Sequence, residues 1–135
     1  MRYLIIFVGL ILIACTDSAS ELHADGMNAY ISGDYETAAD LLRKSANLGD
    51  HDSQAILGSM YILGQGVSQD REKAAMLLLP AAESGHPYAE VYMGVLYFTG
   101  DGTATDIEQA RYWLEKAAAK GDNEATDLLS RLPPE

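Results

Sequence analysis

The residues that could do chemistry in this chain are few, and their spacing speaks against each reaction they suggest. His23, His51 and His86 do not recur at a helical spacing that would aim them at one ion, and the last two fall where turns are expected. They read as loop residues, not as a metal set. Gly64-Gln65-Gly66 and Gly100-Asp101-Gly102 have the glycine density of a phosphate-cradling loop. Neither follows a strand or ends in Gly-Lys-Ser/Thr, so both read as turns in which the first glycine ends a helix and the second redirects the chain. No Ser-x-x-Lys, Gly-x-Ser-x-Gly or His-Glu-x-x-His combination occurs. Tyr61, Tyr97 and Trp113 fall at repeated core positions, where an aromatic ring fills space and does not stack on a ligand. No catalytic residue, metal, cofactor or small-molecule substrate is therefore expected. Cys15 is the only cysteine, and in an oxidising compartment it would have no disulfide partner.

That thiol closes an apolar run from Tyr3 to Ala14 that follows Arg2. The run is well short of the ~20 residues a helix needs to cross a bilayer, and it reads as the core of a signal peptide over residues 1–14. The whole chain has 135 residues, 48% of them apolar, which suits one domain with a buried core. Its formal charge of -11 speaks against nucleic acid, whose phosphates it would repel, and suits solubility or a basic protein partner.

The elements that must position everything else come from an internal repeat. Gly58, Tyr61, Gly64, Gly66, Asp70, Ala74, Leu78, Ala81, Ala82 and Gly85 all return 36 positions later, Gly58 as Gly94 and Gly85 as Gly121. Self-similarity at such a period marks a solenoid, in which each unit buries its apolar face only against its neighbours. Helix pairs are expected: Leu22–Ser32 with Tyr35–Asn47, Ser53–Leu63 with Gln69–Ser84, and Tyr88–Thr99 with Asp106–Lys120. Ala74, Leu77, Leu78, Ala81 and Ala82 recur as Ala110, Trp113, Leu114, Ala117 and Ala118, a core-facing stripe. The first pair is a shortened copy, with Tyr30 set against Tyr61 and five residues missing at the Gly33-Asp34 turn. Thr105 with Glu108 suggests a capping box, and Asp50, Asp122 and Ser68 suggest other helix starts. Pro80 inside a helix predicts a kink, since it cannot donate an N–H and its ring opposes the Met76 carbonyl. The divisions are 1–14 signal peptide, 15–21 tether, 22–132 repeat domain with units near 22–49, 53–85 and 89–121 and a capping helix at 123–132, then a tail at 133–135.

Two resemblances attach to these residues. Leu12-Ile13-Ala14-Cys15 resembles the lipobox of bacterial lipoproteins, which implies cleavage before Cys15 and its modification with long-chain acyl groups such as palmitate. By the same likeness, Thr16 at the second mature position implies release to the outer membrane, facing the periplasm. Leu57-Gly58, Tyr61, Gly64-Gln-Gly66-Val67, Asp70, Lys73-Ala74, Ala81-Ala82 and Gly85-His86 look like a Sel1-like repeat. That resemblance implies an all-α superhelix of antiparallel helix pairs, close in plan to tetratricopeptide repeats, that holds a protein partner. It also implies a groove along the first helices, lined by Ala55, Ser59 and Ile62 in one unit and Val91, Val95 and Phe98 in the next. Ile62, Val91, Val95 and Phe98 are its apolar stripe and the expected partner contacts. Sel1-like lipoproteins also resemble immunity-type inhibitors of secreted antibacterial toxins. A cysteine-rich branch of these repeats is associated with penicillin binding, but its paired cysteines are absent here, so that activity is not carried over.

Overall fold

The computed structural model describes residues 17–134. The signal peptide expected at 1–14 and the lipidation expected at Cys15 lie outside them. Among the described residues there are seven helices and no strand: α1 (Ala19–Ile31), α2 (Tyr35–Asn47), α3 (His51–Leu63), α4 (Arg71–Glu83), α5 (Pro87–Thr99), α6 (Ile107–Ala119) and α7 (Asn123–Arg131). The first six have 13 residues each. Each helix packs chiefly on its neighbours in sequence, as a solenoid requires.

Side-chain caps fix the starts. Asp34, Asp50, Asp70, Asp106 and Asp122 each accept a backbone N–H three residues on, which satisfies one orphan donor per helix. The α6 cap is thus Asp106, bonded to the Gln109 N–H at 3.0 Å, rather than a Thr105–Glu108 box, and Asp70 takes the place expected for Ser68. The capping box stands instead at Ser18 and Glu21, so α1 begins at Ala19, inside the stretch expected to be a tether. Pro80 does not end α4, which continues to Glu83.

The register of the units is set by two repeated contacts. The N–H groups of Asp34, Asp70 and Asp106 donate to the carbonyls of Ala29, Tyr61 and Tyr97, each at 2.9 Å. Leu42, Leu78 and Leu114, all fully buried, press on Gly26, Gly58 and Gly94. A Cβ on those glycines would stand 2.8, 2.8 and 2.5 Å from the leucine Cγ, so only glycine lets the helices approach this closely. Burying each such leucine stabilises by about 1.5–3 kcal/mol. These contacts correct the alignment of the first unit. Ala29, not Tyr30, stands where Tyr61 stands, and the first turn is four residues shorter than the others, not five.

The ends are finished differently from the middle. Leu57 and Met60 on α3, and Met93 and Leu96 on α5, are buried in the second and third units. At the same register α1 carries Asp25 and Asn28, both exposed, so the first unit offers water a polar flank. At the other end α7 keeps Ala125 and Leu132 buried against the last unit and turns Thr126, Asp127 and Ser130 outward. Polar outer faces of this kind close a solenoid.

Candidate protein-binding face

The first junction between units brings together a Ser, a His and an Asp that sequence spacing did not reveal. His23 Nδ1 lies 2.8 Å from Ser53 Oγ and 3.3 Å from Asp50 Oδ1. Ser53 donates to Ser45 Oγ at 2.9 Å, and Ser45 donates to the Ala19 carbonyl at 2.7 Å. Each hydroxyl has one proton, so the chain of bonds runs His23 Nδ1–H to Ser53 to Ser45 to Ala19. This cannot activate a nucleophile. Ser53 is fully buried, its proton points away from the imidazole, and serine and carboxylate meet the same ring nitrogen instead of opposite ones. The other histidines serve turns: His51 bonds Gln54 at 3.0 Å, and His86 caps α5 while its Nε2 lies 3.3 Å from Asp52. Among the described residues no group of three or more His, Cys, Asp or Glu is placed to hold a metal.

The glycine turns face the preceding unit, not a ligand. Gly64 and Gly100 end α3 and α5 in the left-handed conformation. Gly66 and Gly102, also at positive φ, lie so close to the backbones of Tyr35 and Arg71 that any Cβ would collide with those carbonyls. Arg71 then pairs with Asp101 at 2.8 Å, and the Tyr30 hydroxyl donates to Gln65 at 3.2 Å. Each loop is thus a clasp onto the start of the previous unit's second helix, and its backbone is committed to the solenoid.

Met76 on α4 and Tyr112 on α6 are exposed, at 76% and 49%, but the layer of first helices, α1, α3 and α5, differs in charge. It contains no Lys or Arg, and its exposed apolar side chains are Ile31 at 77% exposure, Leu63 at 58% and Tyr88 at 41%. Tyr88 stacks on Tyr92 with centroids 4.4 Å apart. Partial burial and hydrogen bonding with Tyr92 raise the Tyr88 hydroxyl above the ordinary tyrosine range, against a smaller lowering from Ser59, so it stays a neutral donor. Of the stripe expected from the sequence, Val91 is only 4% exposed and belongs to the core cluster with Ala110, Leu114 and Ala117. Val91 is therefore not a contact residue as expected, because it packs toward Ala110 and Leu114 of α6 and not outward. Ala55 and Ser59 are likewise buried. Ile62, Val95 and Phe98 are half-buried. Trp113 is core, and Tyr61 and Tyr97 pack at its edge.

The packing of α5 on α6 holds a feature the sequence did not announce. Glu90 is fully buried on α5, and its Oε1 accepts from Lys120 Nζ at 2.8 Å with Lys116 3.9 Å away. Lys120 also donates to the Gly85 carbonyl at 2.7 Å, which ties the end of α6 to the turn before α5. The one signal was positional: Glu90 takes the place of Gln54 in the repeat.

The family described as Sel1 repeat matches the chain three times in succession, at residues 13–50, 51–86 and 87–122. The chain belongs to the Sel1 repeat family. Among solved structures it is similar to a Sel1 repeat protein from Oxalobacter formigenes, at 34% identity over 84% of this chain and 88% of that one, with a TM-score of 0.75. It is similar also to c5321, described as a protective antigen of uropathogenic Escherichia coli with an SLR fold. There the identity is 32% over 82% of this chain but only 25% of that one, with a TM-score of 0.78. Helicobacter pylori cysteine rich protein B, at 20% identity over 82% of this chain and 94% of that one, shares the fold with a TM-score of 0.64. No curated protein matches the sequence. Sel1 repeats are generally protein–protein interaction modules, and the family is typically a non-catalytic scaffold.

Proposed function

We propose that this Sel1 protein is a lipid-anchored interaction module of the bacterial envelope, held in the outer membrane through Cys15 and facing the periplasm, that binds a basic protein partner. The observation that carries the binding reading is the layer of α1, α3 and α5, which exposes Ile31, Leu63 and Tyr88 and has no basic side chain to repel a cationic partner. Ile62, Val95 and Phe98 continue that layer. The anchor reading rests on Leu12-Ile13-Ala14-Cys15. Several acyl chains would hold the protein stably where one would not.

The two halves are tested separately. Cys15→Ala should abolish incorporation of an alkyne-tagged palmitate and release the protein from the membrane fraction; labelling that persists would remove the anchor. A photocrosslinker replacing Leu63 should trap one discrete partner, and the same probe at Glu108 on α6 should not. Equal trapping at both places would deny the first-helix layer its role. A second reading, an immunity-type inhibitor that occludes a basic secreted toxin, draws on the same face free of Lys and Arg. It predicts that deletion sensitises cells only to toxin-delivering neighbours, and a growth defect in isolation would count against it.

A further inference from the structure

The first-helix layer contains one place where rings and a carboxylate meet without a cation. Tyr88, at the second residue of α5, is half exposed and stacks on Tyr92 with an interplanar angle of 41°. The His86 and Tyr88 rings meet edge to face with centroids 6.4 Å apart, and His86 Nε2 is 3.3 Å from the Asp52 carboxylate on α3, which is 67% exposed. The corner therefore joins the second and third units across their first helices. Elsewhere three rings, exposed Tyr112, half-buried Tyr61 and buried Trp113, have ammonium groups of the chain beside them. Lys73 lies 5.6 Å from the Tyr61 ring centre, and Lys116 lies 5.3 Å from Tyr112 and 4.9 Å from Trp113. All of those lysines are on α4 and α6. Every Lys and Arg among the described residues belongs to α2, α4, α6, α7 or the residue after α6, so the helix that carries Tyr88 and Tyr92 has no cation of its own.

We infer that the corner of Asp52, His86, Tyr88 and Tyr92 is the subsite that receives a lysine or arginine side chain of the protein partner. The inference rests on the protein-binding reading above and gives it a chemistry. The cation sits over the Tyr88 face, where the ring quadrupole attracts it, and pairs with the Asp52 carboxylate. Arginine fits best, because its flat, weakly hydrated guanidinium can stack on a ring and bond a carboxylate at once.

The test uses the full chain in zwitterionic nanodiscs, with empty nanodiscs as reference. The probe is a short fluorescent peptide carrying leucines on one helical face and arginines on the other, set against a counterpart with glutamates in place of the arginines. The arginine peptide should bind and the glutamate peptide should not. Tyr88→Ala should weaken binding by about two- to five-fold, and Asp52→Asn by a similar or smaller factor. Tyr88→Phe keeps the ring face and should bind like the parent, which separates a cation site from a hydroxyl contact. Circular dichroism checks that each variant is folded. Binding that ignores Tyr88→Ala and Asp52→Asn, or that falls only with Glu72→Gln and Glu108→Gln on the other layer, overturns the subsite. Failure of the arginine peptide to bind the parent also overturns it, while a single partner crosslinked at Leu63 would leave the protein-binding reading standing.

Discussion

The first and last units solve the same packing problem with opposite chemistry. Where the last junction sets Ala117 against Ala125, both fully buried, the first sets Ser45 against Ser53, also fully buried and at the same repeat positions. The alanine pair asks for nothing but contact. The serine pair must be completed by His23 on one side and the Ala19 carbonyl on the other, because an unmatched buried hydroxyl costs more than its bond returns. An apolar junction can therefore be copied along a solenoid, whereas a polar one is a single assembly whose members depend on each other. The last unit has an ionic counterpart that is matched only in part: Lys120 bonds Glu90 Oε1, while Oε2 is buried without a hydrogen-bond partner.

The units also differ in how tightly their helix pairs close, and this gives the largest expected effect. A Cβ at Gly94 would stand 2.5 and 2.7 Å from two carbons of Leu114 and 3.3 Å from the Ala110 carbonyl, while at Gly26 the nearest atoms are side-chain carbons at 2.8 to 3.3 Å. Gly94→Ala should cost about 2–3 kcal/mol, and Gly26→Ala less, because leucine can move and backbone cannot. Urea denaturation decides it, and the reverse order would mean that the first pair is the more rigid.

Next in size is the polar junction itself. Ser53→Ala should cost about 1–2 kcal/mol, since it leaves both His23 and Ser45 short of a partner. Adding Ser45→Ala converts the site to the alanine pair of the other junctions, so the double variant should be less destabilised than the two single costs added together. Strict additivity would show that the bonds from His23 to Ala19 do not act as one network.

What the sequence could and could not reveal follows from the same division. Repeated contacts were legible: the 36-residue return of Gly58, Leu78 and Asp70 located six helices to within a few residues of their ends, because each residue has a copy that confirms it. Features made only once were hidden. Ser45, Ser53, Glu90 and the Ser18–Glu21 capping box break the repeat, and their partners are far apart in sequence or lie where no copy exists. Val91 was misplaced for a related reason. The likeness to tetratricopeptide pairs supplied a face, but the rotation of α5 on α6 turns Val91 into the core, leaves Tyr88 outside and sets Tyr92 half-buried against the core.

The smallest expected effect sits where the polar junction meets the start of α1. Glu21 is held below the usual carboxylate range by the Ser18 backbone N–H first and the Ser18 hydroxyl second. A carboxyl whose folded pKa is depressed stabilises the folded form above its unfolded value, and that contribution fades as pH falls through 4.5 toward the lower folded value. Ala19, the first residue of α1, supplies the carbonyl that ends the chain of bonds from His23. Acidification should therefore loosen the first turn of α1 and, through Ala19, the serine pair, while the alanine junction before α7 stays closed. Hydrogen exchange measured above and below that range should show faster exchange at the amides of Glu21 and Leu22 at acid pH, after correction for intrinsic rates, with Ala117 and Ala118 unchanged. Glu21→Gln should give the looser turn at both pH values. If the variant kept the same acid response as the parent, the response would belong to another carboxylate, and the link between the cap and the polar junction would be broken.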